Sequence, residues 1–529
     1  MHIADTKILD CTLRDGGYCN NWKFGREYIR KILRALVEAN IDIIECGFVT
    51  EQAEPDENST KFPSLETMSE VIPKEKTGRL FVCMINYGEY SIDKIGLSCE
   101  NAVDGIRIAF HKKDLKAAVE FCRKISEKGY KVFMQPMVSL NYSDEEFIEL
   151  IRCANDIKPY VFYIVDSFGG MKERDLLRLF YIVENRLDSG IKIGFHSHNN
   201  MQLAYSNAKA LTSVKTLRQL IIDSSIYGMG RGAGNLNTEL LTEYLNETEG
   251  KTYILNPILQ VIDQVLNALY QENSWGYSVP NYLSAKHNVH PNYANYLVDK
   301  QTLRIEDMDE IFAMMPKEKR EGFDKVFIKE LYYKFMENGK FYEEHLNEFR
   351  EAISQRIILI IGPGKSVSIE KEKITKFVKE KNPITISVNF EYKEVGTNYI
   401  FVSNLRRYSE LDEKVRDKCI VTSNIPTEMG YMRVRYVPLL NNIEEVRDNA
   451  GLMLLQLLKK LDVKEVYIAG IDGYSHEAKS NYALEDMSFI ISNRILDAKN
   501  YGMEIMLKEF SKKMEIRFIT ESKFAGKLD

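Results

Sequence analysis

No apolar run in this 529-residue sequence approaches a membrane span: the stretch Ile357–Ile361 is closed off by Arg356 and Gly362, whereas a bilayer needs about 20 apolar residues. The opening MHIADTKILDCTLRDGG lacks a basic segment followed by an apolar one, so no secretory signal is expected. Basic blocks are missing too, and the net charge is -6, which argues against nucleic acid as a partner. Cysteine is present eight times but never as a CxxC pair. A disulfide framework or zinc ribbon would need tighter pairing, so buried, reduced thiols are expected. Low-complexity tracts and internal repeats beyond a β–α period are also lacking. These absences leave a soluble, cytoplasmic, multidomain protein, expected to be a homo-oligomer with neither membrane nor nucleic-acid partners.

What is there is an alternation. From about residue 7 to 250, eight β-rich runs (KILDCTL, DIIECGF, RLFVCMI, DGIRIAF, KVFMQPM, VFYIVDS, KIGFHSH and RQLIIDS) are separated by helical patterns. One of these, residues 113–128, places Leu115, Ala118, Val119 and Cys122 on one face. Eight such units in this length predict an α/β fold, a (β/α)8 TIM barrel over residues 1–250; an open doubly wound sheet is the alternative. Residues 251–354 read as a helical extension and connector. A separate Rossmann-like α/β domain is expected over residues 355–529, where RIILIIGPGKS gives strand, glycine loop and helix, and further strands follow at ITISVNF, NYIFVSN, CIVTSN, MRVRYVP, EVYIAGID and EIRFIT.

Reactive groups of a parallel barrel stand at the C-terminal strand ends. There the sequence places Arg14 and Asp15, then Glu45, His111, Gln135, Asp166 with Ser167, His196 with His198, and the loop GMGRGAGN ending in Asn235. His196 and His198 alternate on one strand, so both imidazoles face the same side about 6.5–7 Å apart and can share one metal ion. Asp15 can add a carboxylate oxygen and Asn235 an amide oxygen. Such a nitrogen and oxygen set suits a divalent metal ion, Mn²⁺ first, with Mg²⁺ or Zn²⁺ possible. Two core histidines bonded to backbone carbonyls are the alternative. Asn199 and Asn200 are expected to cap the helix after strand seven.

LDCTLRDGGY, IIECGF, VDSFGG, GFHSHNN and GAGNLNTE occur in an order that resembles the HMG-CoA lyase-like, or DRE-TIM, metalloenzymes. The likeness covers roughly residues 5–250 and is greatest to 4-hydroxy-2-oxovalerate aldolases. It implies a carbon–carbon lyase or aldolase that forms or cleaves a 4-hydroxy-2-oxoacid through a pyruvate enolate, with a 2-oxoacid and an aldehyde as partners. By this resemblance Asp15, His196 and His198 are metal ligands and Asn235 stands at a further ligand position. Arg14 would stabilise the enolate oxygen, and Glu45, Asp166 and Ser167 match pocket positions. Tyr18 departs from the pattern: the aldolases carry a histidine there that handles the substrate's hydroxyl proton. The task therefore falls to Tyr18 itself, His111 or His290, and Pro291 after His290 argues for a loop at that point. The acyl-CoA condensing relatives carry GEQ where Gly16, Gly17 and Tyr18 stand, so an acyl-CoA Claisen-type enzyme with a regulatory C-terminal domain is the second reading.

The third reading is a bifunctional protein. In IIGPGKS, Gly362, Gly364 and Lys365 could cradle a phosphate at a helix start, although Leu359 and Val367 break both the Walker A and the dinucleotide patterns. A nucleotide or sugar-nucleotide would bind there, with Asp472 of AGIDGYS lining the same crevice.

Overall fold

The computed structural model describes residues 5–337, 345–427, 429–484, 487 and 492–528. Eight parallel strands of the first sheet form a ring: β1 (Asp5–Asp10), β2 (Ile43–Val49), β3 (Leu80–Asn86), β4 (Gly105–Phe110), β5 (Lys131–Pro136), β6 (Val161–Asp166), β7 (Lys192–Ser197) and β8 (Gln219–Ser224); a ninth, the two-residue strand Lys61–Phe62, pairs with β2 outside it. They pair in sequence order, and β1 pairs with both β8 and β2 through Ile8–Ile222 and Leu9–Ile43. The sheet therefore closes into a TIM barrel, and the open doubly wound alternative is excluded for this half.

Closure buries both faces of every strand, which explains why the strands read as nearly unbroken apolar runs. Leu9, Ile43, Val82, Phe133, Val161 and Ile221 pack inside the ring. The alternate residues face the helices, whose apolar stripes follow the 3.6-residue period. In helix Leu115–Glu127 the buried positions are Ala118, Phe121, Cys122 and Ile125, so Leu115 and Val119 of the predicted face sit at its margin. Helix Asp144–Ile157 starts in a capping box, with Ser143 and Glu146 exchanging side-chain and backbone bonds. The cysteines are all free thiols; five are buried as expected, whereas Cys19 and Cys153 are half-buried and Cys99 is exposed.

The second sheet is parallel as well. Its strands are β9 (Ile358–Ile361), β10 (Ile384–Val388), β11 (Tyr399–Val402), β12 (Cys419–Thr422), β13 (Met432–Val434), β14 (Glu465–Ala469) and β15 (Glu515–Phe518), in the order β13-β12-β11-β10-β9-β14-β15. The chain runs outward from β9 to β13 and then crosses back to β14, so the direction of winding reverses between β9 and β14. That is the topology of a doubly wound α/β domain.

Residues 251–354 do not form a unit of their own. The chain divides into Met1–Ala294 with Met315–Phe323, and Asn295–Met314 with Asp324–Asp529. Packing explains the split: Val265, Leu266 and Trp275 join the barrel's outer core, and Trp275 Nε1 donates to the Tyr227 carbonyl at 3.0 Å. The Tyr293 hydroxyl bonds to the carbonyls of Lys319 and Gly322, which ties residues 315–323 to the barrel unit. Pro291 opens helix Pro291–Lys300 rather than a loop; its missing N–H costs nothing at a helix start. Among the described residues no helix is long and apolar enough to cross a membrane.

Candidate metal centre

Asp15 closes the short helix Thr12–Asp15 that follows β1. The Asp10 carboxylate fixes this turn by accepting from the Thr12 N–H at 2.9 Å. His196 lies on β7 and His198 just beyond it, bridged to Asn235 of the loop after β8. Closure of the ring brings β1, β7 and β8 side by side, so residues far apart in sequence meet. Asp15, His196 and His198 are buried, and each offers a ligand atom within 4.8 Å of the others. Gly230 lines the same spot. A Cβ there would lie 2.2 Å from Asn235 Nδ2 and 2.8 Å from Asp15 Oδ2, so only glycine lets the loop pass.

A buried charge network holds these groups. Arg14 donates from Nη1 to Asp15 and from Nε to Glu45 Oε2 at 2.9 Å. Arg107, fully buried at the centre of β4, donates to the same Glu45 oxygen at 2.7 Å and to Asp223 Oδ2. The Tyr163 hydroxyl donates to Asp223 Oδ1 at 2.8 Å, and His196 Nδ1 bonds to Asp223 Oδ2 at 2.9 Å. Spending Nδ1 on Asp223 leaves His196 Nε2 for an ion, the carboxylate–histidine arrangement that orients metal ligands. Charges this deep persist only when paired. Burial alone would raise the Asp15 pKa, but Arg14 and the two histidines hold it well below the usual carboxylate range. Burial likewise drives His198 down to about 3, so both ligand types keep the form that binds metal.

Three buried polar atoms around the triad lack partners: Arg14 Nη2, Glu45 Oε1 and Asn235 Oδ1. Asn235 turns its Nδ2 to Asp15 Oδ2 at 2.6 Å, leaving that oxygen uncommitted. An unmade bond at a buried polar atom costs about 1–3 kcal/mol. Three together beside a ready ligand set mark a place built for a charged guest, and the donors present fit a divalent ion.

The other predicted residues take different places. The Asp166 carboxylate is turned to the loop after β6, accepting from the Gly170 and Met171 N–H groups at 3.0 Å each; burial pushes its pKa up to about 7 despite them. Ser167 accepts from the Val138 N–H at 2.9 Å and lines the cavity at the barrel mouth. Tyr18 lines this cavity too, 39% exposed, with its ring 4.7 Å from that of Trp22. Asn199 receives the Ala204 N–H at the start of helix Ala204–Thr212, as expected of a cap. Asn200 does not cap; it ties the Phe168 carbonyl to the Ala233 N–H.

The cavity measures about 250 Å³ and also takes in His111, Arg231, His290 and Glu321. Arg231 Nη1 lies 3.3 Å from His290 Nε2, and its guanidinium is 5.3 Å from the Tyr18 ring centre. Burial, then the Arg231 charge, press the His290 pKa down to about 2, keeping the imidazole neutral. His287 is not in this lining. Sequence reasoning missed Arg107, Asp223, Arg231 and Glu321. A lone arginine inside GIRIAF and a lone aspartate inside QLIIDS were visible signals, since an apolar strand keeps a charge only for a partner. Glu321, in a charged helical stretch, gave none.

In the second domain the glycine loop does not form a phosphate cradle. The Gly362 N–H donates to the Ala469 carbonyl at 2.7 Å and the Gly364 N–H to the Gly470 carbonyl at 2.9 Å. The Ser366 N–H and hydroxyl both go to Asp472, at 2.8 and 2.6 Å. A carboxylate thus already stands at the anion position. The glycines are needed because a Cβ on either would come within 2.6 Å of the Gly470 carbonyl oxygen. Lys365 lies outside the lining of the adjoining cleft of about 150 Å³ at the β9–β14 reversal.

The family match falls on the barrel. Residues 5–261 match the family model HMGL-like. A 4-hydroxy-2-oxovalerate aldolase from Geobacillus thermodenitrificans is 27% identical over 275 residues, spanning 49% of this chain and 79% of that one. An oxaloacetate decarboxylase from Mycobacterium tuberculosis is 27% identical, covering 45% of this chain and 69% of its own. Among solved structures, the N-terminal domain of a Bacteroides vulgatus protein provisionally named an aldolase is 28% identical, covering 55% of this chain and 96% of that one with a TM-score of 0.47.

Proposed function

From the premise that residues 5–261 are an HMGL-like domain of the lyase kind, we propose that the barrel is a divalent-metal-dependent aldolase acting on a 4-hydroxy-2-oxoacid. The observation that carries this reading is the buried triad Asp15, His196 and His198 with the unpartnered Arg14 Nη2 beside it. A divalent ion held by the triad, with Asn235 Oδ1 as a further ligand, would supply Lewis-acid polarisation of the 2-oxoacid.

The chain's own residues do the rest. The proton from the substrate's C4 hydroxyl is taken up in the cavity, where His111 and His290 are the imidazoles present. The C3–C4 bond then breaks: C4 becomes the aldehyde carbon, and the electron pair flows through C3 to the C2 oxygen. Arg14 Nη2 donates to that oxygen as it becomes negative. Glu45 serves Arg14 by fixing its Nε, and Arg107 and Asp223 in turn fix Glu45 and His196. Protonation of C3 completes pyruvate. Tyr18 carries no base role here, because desolvation of its phenol within the cavity, although the residue as a whole is partly exposed, raises its pKa further from neutrality. No feature of the mouth favours an acyl-CoA, whose phosphates would face Glu89, Asp114 and Glu321.

The test is a coupled assay for pyruvate released from 4-hydroxy-2-oxovalerate by the full chain, stripped of metal and then restored with Mn²⁺. Activity that returns with Mn²⁺ and is absent from His196→Ala supports the reading. Release at the same rate by stripped protein sinks it.

A further inference from the structure

Building on the aldolase reading, we propose that the aldehyde half of the substrate is a polyhydroxylated, unphosphorylated aldehyde, an aldose-like chain held between Arg231 and Glu321. The cavity at the barrel mouth is lined by both charged and polar groups. Tyr18, Ser167, Arg231, Glu89, His111 and Glu321 all stand in its lining, and Arg231 is also among the charges that act on Asp15. At about 30 Å³ per water, its 250 Å³ holds on the order of eight waters. A two-carbon aldehyde would leave most of that volume to solvent.

The wall around Glu321 has the chemistry of hydroxyl recognition. His111 Nδ1 bonds to Glu321 Oε1 at 3.0 Å, and Asn141 Nδ2 donates to Glu321 Oε2 at 3.3 Å, so the Glu321 carboxylate is fixed at both oxygens. Each oxygen keeps a second acceptor lone pair. Asn86 Nδ2 orients Glu89 in the same way, at 3.1 Å. Two oriented carboxylates, one of them bonded to an imidazole, can accept from successive hydroxyls along a carbon chain. An alkyl aldehyde would strip water from these groups and return no bond, which is how a polar site rejects an apolar analogue. A phosphate would meet Glu89, Asp114 and Glu321 together, with like charge.

Position in the chain keeps this wall out of the β–α pattern. Glu321 arrives from residues 315–323, which belong to the barrel unit although their flanks belong to the other. The insertion adds a carboxylate to the barrel mouth that the eight β–α units themselves do not supply.

The full chain, loaded with Mn²⁺, is given pyruvate with erythrose, butyraldehyde or glyceraldehyde 3-phosphate, and condensation is followed by pyruvate consumption. Binding of erythrose and butyraldehyde without pyruvate is measured in parallel by saturation-transfer NMR. The expected result is a kcat/KM for erythrose at least tenfold above that for either competitor. Glu321→Gln should cut the erythrose-to-butyraldehyde ratio about tenfold and weaken saturation transfer to erythrose. A wild-type preference for butyraldehyde or the phosphorylated aldehyde overturns the proposal, as does an equal effect of Glu321→Gln on both unphosphorylated aldehydes. Exchange of the pyruvate methyl protons in D₂O separates the two levels of the argument. Its absence defeats the aldolase reading, whereas exchange without saturation transfer to erythrose defeats this inference alone.

Discussion

The two parallel sheets of this chain each end in a glycine-bearing loop beside an aspartate, yet they use their polar atoms in opposite ways. In the barrel, Arg14 Nη2, Glu45 Oε1 and Asn235 Oδ1 are buried without partners. In the second domain, the N–H groups of Gly362, Gly364 and Ser366 are all committed within the protein. Similar motifs therefore differ in function because one leaves its hydrogen-bonding capacity open and the other closes it. A buried polar atom left open calls for an explanation, and beside a ready set of metal ligands a bound ion supplies one.

The comparison breaks first at the triad. Asp15→Asn or His196→Ala should bring pyruvate release to background, measured beside metal content, because the remaining ligands cannot hold the ion alone. Arg14→Lys should follow, with a loss of about 2.7–4 kcal/mol in transition-state stabilisation, since lysine lacks the planar fork that reaches Asp15, Glu45 and the oxyanion at once. The loss should fall on kcat more than on KM. Asp223→Asn weakens a support of His196, so metal affinity should drop about 10–100-fold, read by titration against a competing chelator.

The second domain supplies the smaller effects. Asp472→Ala frees the Ser366 N–H and should cost about 1–2 kcal/mol of stability, seen in unfolding curves, while pyruvate release is unmoved. A change in release instead would mean that the closed loop takes part in the barrel's chemistry. The smallest effect is one of pH. Burial raises the Asp10 pKa to about 6, against hydrogen bonds from Thr238 and Thr12 that lower it. The folded state therefore holds this proton more tightly than the unfolded one, so stability is greatest below the ordinary carboxylate pKa and declines as pH rises through about 6. Asp10→Asn should flatten that decline in thermal unfolding between pH 4.5 and 7.

Much of this was legible in the sequence because a closed barrel writes itself into periodicity. Eight apolar runs at regular spacing fixed strand count and order, and alternation within GFHSH put His196 and His198 on one face. Contacts between distant strand ends were not legible in that way. Arg107 and Asp223 stood out only as charges in apolar strands, and their pairing depends on barrel closure. Pro291 was misread because a proline tolerated at a helix start looks the same as one in a loop. At GPGKS the sequence could not show that Asp472, more than a hundred residues away, takes the Ser366 N–H, although Gly362, Gly364 and Asp472 do line one cleft. Cavity walls were least legible of all, since Glu321 reaches the barrel mouth from an insertion.

The central claim is that the open polar atoms around Asp15, His196 and His198 exist to hold a metal and the oxoacid beside it. Its most direct test pairs elemental analysis with proton NMR of pyruvate in D₂O, on wild type and His196→Ala. The account predicts one Mn²⁺ per chain and metal-dependent loss of the methyl signal in wild type, with neither in the variant. Full-rate exchange by metal-stripped protein, or an undiminished ion count in His196→Ala, would contradict it.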